Sequence, residues 1–412
     1  MDSLFRIAGS LIGSASALAV LAIVGCDAPP GPFPPNDLYA RVVATRQSTE
    51  PGHAAADVRQ VMESYFGTPD VPKLPDAMPP GLIDPENLTR AAGPVFSDKA
   101  DTHFGIYRGR CVVCHALDGS GAGPAAELQN PYPRDFRAGV FKFKSTPRGE
   151  KPTKEDLLAI LRGGAPGSAM PSFDRLPQED LDALVDYVIY LAIRGEMERR
   201  LIQFAVTEMS YGDQDTLPSD SDRLIVNAQG RLTDAELDQT VSQMIAELAG
   251  QWTIARSIEV PAMPNFVGDD ATAAIERGRE LFHGQLANCA SCHGANGSGD
   301  AVTLDFDDWT KEYTTLLGIT PGDRAAVKPM RKLGALQPRP ISPRKLSWGV
   351  YRGGSDPETL YRRLVAGIEG TPMPGLLVQD AEGSTGVTPD QVWDLVAYLQ
   401  SLGDLQLAGA TP

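Results

Sequence analysis

Apolar residues recur at helical spacing in several separated stretches of the chain. From Ala54 to Phe66, the residues Val58, Val61, Met62, Tyr65 and Phe66 fall on or near one face, which predicts a helix with a single buried stripe. A second pattern runs from Glu179 to about Arg200 and repeats through Leu181, Leu184, Val185, Val188 and Leu191. A third opens at Thr388-Pro-Asp-Gln391, with Pro in the first position and Gln completing a capping box, and continues through Trp393, Leu395, Val396, Tyr398 and Leu399. Thr153-Lys-Glu-Asp156 reads as an N-cap followed by acids, opening a helix from Leu157 to Leu161 that stops at Gly163-Gly164. Thr233-Asp-Ala-Glu236 reads as another capping box, with a helix to about Trp252. Residues 98–110 complete the set, so the fold class is mainly α.

The N-terminus follows a different plan. Arg6 precedes an apolar run from Ile7 to Gly25, the layout of a secretory leader. The run ends Ile23-Val24-Gly25-Cys26, which resembles a bacterial lipobox and implies acylation of Cys26. The alternative is an uncleaved anchor helix, but Gly9, Ser10, Gly13, Ser14 and Ser16 interrupt the run. Either arrangement tethers the chain at a membrane, on the periplasmic side in a bacterium. Residues 27–36 are Pro-rich and read as an extended spacer holding the rest away from the lipid surface.

Two pentapeptides carry the chemistry: Cys111-Val-Val-Cys114-His115 and Cys289-Ala-Ser-Cys292-His293. Each is C-x-x-C-H, the attachment signature of c-type haem. Two thiols at this spacing can add to the two vinyl groups of one porphyrin, and the adjacent His can reach the iron. A lone C-x-x-C could instead be a redox dithiol or half a zinc site. The trailing His and the duplication argue against both. These motifs use four of the five cysteines, and Cys26 is the fifth, so no thiol is left for a structural disulfide.

Downstream of each motif a Met-Pro pair stands in a Gly-rich loop between two predicted helices. These are Gly167-Ser-Ala-Met170-Pro171 and Gly370-Thr-Pro-Met373-Pro374, 55 residues after His115 and 80 after His293. In this ordered pattern the chain resembles the class I cytochromes c over about 97–195 and 270–403. The resemblance implies two tandem helical domains, each wrapped around one covalently bound haem c. It implies His115 and His293 as proximal iron ligands and Met170 and Met373 as the opposite ones. A thioether is a soft ligand that favours reduced iron. The chain then divides into a leader (1–26), a Pro-rich spacer and extension (27–96), a first cytochrome c domain (97–200), a connector with a helix (201–269) and a second domain (270–405).

The family carries Gly-x-x-x-aromatic in the helix before the first Cys. The second half keeps it as Gly278 and Phe282, with extra residues expected to bulge at Gly284. The first half has His103 and Tyr107 in those positions, so its helix contact should differ. His53, His103 and His283 read as non-ligands. The extra length of the second half is expected within 300–345.

Charge refines the picture. A net charge of −16 argues against a nucleic-acid partner. Arg134, Lys142 or Lys144 could pair with haem propionates. Within 321–363 cations outnumber acids, which reads either as propionate neutralisation or as a docking patch for an acidic partner. Iron gripped by His and Met has no open position, so the expected role is single-electron transfer. This makes the expected protein a membrane-tethered dihaem cytochrome c of a respiratory chain, as free carrier or subunit, and not an enzyme. Its partners would be redox proteins such as a terminal oxidase or a quinol-oxidising complex, with no small-molecule substrate. The alternative is a dihaem peroxidase-type enzyme, and a third reading is a subunit used only for docking.

Overall fold

The computed structural model describes residues 31–95, 103–209, 211, 223–301, 305–306, 308–379 and 385–407. Cys26, its leader and the acidic loop at 213–222 lie outside the described residues. The elements run in the order α1 (Asp37–Arg46), α2 (Ala54–Phe66), α3 (Pro85–Ala91), α4 (Ile106–Arg110), α5 (Val112–His115), α6 (Lys154–Gly163), α7 (Gln178–Thr207) and α8 (Ala235–Thr253). There follow α9 (Asp269–His283), α10 (Ala290–His293), β1 (Asp305–Phe306), α11 (Asp308–Thr314), α12 (Arg324–Lys332), β2 (Pro340–Ile341), α13 (Pro357–Ala366) and α14 (Pro389–Leu407). The strands form one antiparallel two-residue pair, and the fold is otherwise helical. No described helix is long and apolar enough to cross a membrane.

The first half is built around α7. Glu179 and Asp180 in its first turn favour its N-terminus electrostatically. Its thirty residues span about 45 Å. α1, α2, α3, α4, α6 and α8 all pack against it. The apolar stripe of α2 is buried as its spacing predicts: Val58, Val61, Met62, Tyr65 and Phe66 all lie inside. The extension at 37–95 is thus part of the core around α7. So is α8, through Val241, Ile245, Leu248, Ala249 and Trp252.

The spacer differs from expectation. Residues 31–36 do not stand off from the fold: Phe33 is buried under the Arg194 guanidinium, 4.0 Å from its ring centre. Asn36 then caps α1 by accepting from the Tyr39 N–H. The helix expected at 98–110 is also shorter, since α4 begins only at Ile106. Gly105 lies so close to the carbonyl of Gly93 that a Cβ there would sit 2.0 Å from it. His103 lies outside the helix and donates from Nε2 to the Ala92 carbonyl at 2.9 Å. A one-turn helix makes no long crossing with α7, which removes the need for the family's small residue. Conversely α7 runs past Arg200 to Thr207. The cap of α8 is Asp234, accepting from the amides of Glu236 and Leu237, not Thr233.

The second half packs α9 and α13 onto α14. Here the small residue is needed: a Cβ on Gly278 would lie 2.0 Å from the Asp394 carbonyl of α14. Arg277 beside it makes a two-pronged pair with Asp394 at 2.8 and 2.7 Å. α9 ends at His283 with Gly284 as its cap. His283 is exposed, its ring held by the carbonyls of Arg279 and Ala295.

The insertion at 300–345 does something the sequence did not announce. Trp309, Tyr313, Val327, Met330 and Leu336 form a third apolar cluster with Leu38 and Val42 of α1 and with Ala126 and Tyr132 of the first half. The insertion therefore clamps the two halves together.

Candidate functional site

In both halves one helical turn presents the cysteines and the His. The amide of His115 donates to the Cys111 carbonyl at 2.8 Å, and that of His293 to the Cys289 carbonyl at 2.9 Å. The i, i+3 spacing then sets the two thiols on one side of the turn. Burial pushes the Cys111 thiol up to about 12 and the Cys289 thiol up to about 11. The turn closes on a positive-φ residue, Ala116 at 60° in the first half and Gly294 at 77° in the second.

Each imidazole is fixed by a backbone carbonyl. His115 Nδ1 lies 3.1 Å from the Arg134 oxygen and His293 Nδ1 lies 3.0 Å from the Arg344 oxygen. A carbonyl can only accept, so Nδ1 carries the proton and Nε2 keeps its lone pair. Burial lowers the His115 pKa to about 4 and also pulls that of His293 down, so both rings are held neutral. Neutral imidazole is the metal-ligating form. The His115 ring stacks on Phe136, 4.7 Å between centres. Behind it Arg137 is buried between Asp118 and Asp135, at 3.1 and 3.0 Å.

The two Met loops are built alike. Ala165 N–H donates to the Met170 carbonyl at 3.1 Å, and Ile368 N–H to the Met373 carbonyl at 3.2 Å. Ser168 Oγ accepts from Met170 N and Thr371 Oγ1 from Met373 N, each at 3.3 Å. Each loop is tied back to the helix before it, by Phe173 N to the Leu161 carbonyl and Leu376 N to the Leu364 carbonyl. The predicted caps of these halves hold: Thr153 and Asp156 form a reciprocal box before α6, and Thr388 and Gln391 form one before α14. Met170 packs on the same apolar cluster as Cys111, and Met373 on the same cluster as Cys289. The donor set, with two thiols, a neutral imidazole and a thioether in each half, fits a covalently attached haem. Among the described residues no group of three or more His, Cys, Asp and Glu converges, so neither pair of thiols has the remaining ligands of a zinc site.

Sequence reasoning missed the Arg134 and Arg344 carbonyls, because a backbone acceptor leaves no side-chain signature. One signal was present. Pro133-Arg134 and Pro343-Arg344 each precede Gly-Val-aromatic-cation, as Gly139-Val-Phe-Lys142 and Gly349-Val-Tyr-Arg352, at a constant offset of 210 residues. Some of the cations of 321–363 turn inward. Arg331 pairs with Glu127, Arg339 donates to the carbonyls of Glu127 and Gln129, and Arg362 donates to the Ile258 carbonyl. These side chains are spent inside the molecule, while Arg324, Lys328, Lys332 and Lys345 of the same stretch are exposed. Lys144 is likewise committed, to Glu369 of the second half at 2.6 Å.

The cytochrome c family model matches residues 104–192 and 275–403. No curated protein matches the sequence. Among solved structures, a chain of the Kuenenia stuttgartiensis reducing HAO-like protein complex is similar, with 22% identity, 72% of this chain and 93% of that chain covered, and a TM-score of 0.43. Neither the motifs nor the family match excludes catalysis, and the expectation of a protein without enzymatic role is withdrawn. What stands is the coarser statement of a redox and electron-transfer protein with two haem c groups. The two halves repeat one order of motifs, one set of backbone ties and one family match, and the chain belongs to the cytochrome c family.

Proposed function

We propose that the chain is a two-haem electron-transfer subunit working with other redox proteins. In this reading Cys111 and Cys114 hold one haem and Cys289 and Cys292 the other. His115 and Met170 ligate the first iron, His293 and Met373 the second, and Cys26 carries the lipid that tethers the protein on the periplasmic side of a bacterial membrane, within a respiratory chain. The bound group supplies reversible one-electron chemistry. The protein's part is to fix each imidazole by its Nδ1–H and to partly bury the ring, and the Met loop would supply the thioether to the same iron.

One observation carries this reading: both Met loops lie on the seam between the halves. Arg148 of the first half donates to the carbonyls of Met373 and Thr371, at 3.1 and 3.3 Å. Arg352 of the second half donates to the Gly167 carbonyl in the Met170 loop at 3.1 Å. Two redox sites facing one seam suit electron exchange between them. The test is stopped-flow reduction of the purified protein by a one-electron donor. Biphasic uptake of two electrons per chain supports the reading, and uptake of one or none overturns it.

The same contact favours a second reading, a redox enzyme of the dihaem peroxidase type. Movement of the halves would pull Arg148 against the Met373 loop, the segment that would supply the thioether to the second haem. High-spin ferric signals appearing on half-reduction, with peroxide turnover, would select it over the first.

A further inference from the structure

Three guanidinium groups gather at the seam without a carboxylate partner among the described ion pairs. The Arg344 guanidinium lies on the backbone of Gly167, so close that a methyl there would sit 2.2 Å from Nη2. Arg344 Nε donates to the Val350 carbonyl at 3.0 Å. Arg352 donates to the Gly167 carbonyl through Nη2, while its Nε is buried without a partner. Burial, and then the charge of Arg344, pull the Arg352 pKa below the usual guanidinium value. Arg363 stands nearby with its charge over Phe143 and one bond to the Gly354 carbonyl at 3.2 Å. Burial takes its pKa down to about 10. None of these three guanidinium groups has a carboxylate partner among the described ion pairs, although Lys144 and Glu369 pair in the same seam. A guanidinium nitrogen buried without a partner, beside a second cation, calls for an acceptor that carries negative charge.

The anion that would balance them must be planar, able to take a guanidinium side-on, and close to His293. Arg344 is next to that ring, since its own carbonyl accepts the His293 proton at 3.0 Å. The propionate carboxylates of a haem meet these conditions. We propose that Arg344 and Arg352 form a carboxylate site at the seam which holds the propionate edge of the second haem against the Met170 loop of the first half. The site rests on the two-haem reading above. It makes Arg352 a bridge: one nitrogen is bonded to the first half, and another is left for the second half's own cofactor.

Redox titration of the complete two-haem protein tests this, comparing Arg344→Gln, Arg352→Gln and Arg352→Lys with the parent. Loss of a buried cation beside the propionates favours ferric iron. The ferric-to-ferrous ratio of one haem at fixed potential should rise about tenfold, a midpoint fall of about 59 mV, while the other moves less than twofold. Arg352→Lys, which keeps the charge, should stay within about twofold of the parent. The propionate modes in resonance Raman spectra should shift in both Gln variants, a change that simple loosening of the fold would not produce. The proposal is overturned if neither midpoint moves, if both move equally, or if Lys shifts the midpoint as far as Gln. Haem content is measured alongside. Fewer than two haems in the parent protein would overturn the two-haem reading and the site with it, whereas two haems with unmoved midpoints would overturn the site alone.

Discussion

The crossing of α9 and α14 offers the sharpest test of how the second half closes. In an isolated helix, Gly278→Ala would stabilise by about 1 kcal/mol. Here the added methyl would meet the Asp394 carbonyl oxygen at 2.0 Å, its carbon at 2.6 Å and Tyr398 Cβ at 2.8 Å. Two of these atoms are helix backbone and cannot swing away. A carbon and a carbonyl oxygen rest at about 3.3 Å, so the helices must part by about 1.3 Å. A gap of that size forfeits about half or more of the dispersion energy of the atoms that face each other across it. Overpacking of this kind costs about 3 kcal/mol, at the upper end of its range. Subtracting the propensity gain leaves about 2 kcal/mol. With a urea slope of roughly 2 kcal/mol per molar, the unfolding midpoint should fall by about 1 M. The assay is urea unfolding of the haem-loaded protein followed by circular dichroism in the haem band. A midpoint that stays put or rises would mean that the helices do not cross this closely. The companion variant His103→Gly, in the first half, should bring no stabilisation, because that residue is outside α4 and loses only its bond to Ala92.

Three further outcomes follow from individual contacts. Arg137→Met leaves Asp118 and Asp135 buried without their cation and should cost about 3–5 kcal/mol, read as a lowered urea midpoint; a cost under about 1 kcal/mol would mean the network is solvated. Ala116→Gly relieves a backbone at φ 60° and ψ 170°, a region tolerated by glycine alone, and should raise stability by about 1–2 kcal/mol in the same assay; no gain would argue against the strain. Asp234→Ala should cost about 1 kcal/mol as the loss of a helix cap, with Thr233→Ala near neutral; the reverse order would restore Thr233 as the cap.

Much of the site was legible because it is written in side chains at fixed spacing. The paired cysteines with their His, the Met-Pro loops and the caps at Thr153 and Thr388 each need a particular residue type at a particular step. The buried face of α2 was legible for the same reason. What escaped was set by backbone or by distant packing. Helix α4 starts late because Gly105 packs against Gly93, a contact no periodicity encodes. Thr233 and Asp234 both suit a cap, and only the geometry of the incoming chain chooses between them. The insertion carries its own apolar residues, but nothing local says that they meet α1 across more than two hundred residues of sequence. In the cation-rich stretch the sequence gives the density of charge and not which side chains turn inward, as Arg331 and Arg339 do, and which stay exposed, as Arg324 and Lys328 do.

The central claim is that each iron sits between an imidazole and a thioether. Near-infrared magnetic circular dichroism of the oxidised, as-isolated protein addresses it most directly. The account predicts a thioether-to-iron charge-transfer band with the intensity of two low-spin haems per chain, halved by either Met170→Ala or Met373→Ala. A band of half that intensity in the parent protein, or a high-spin signal in its place, would contradict it.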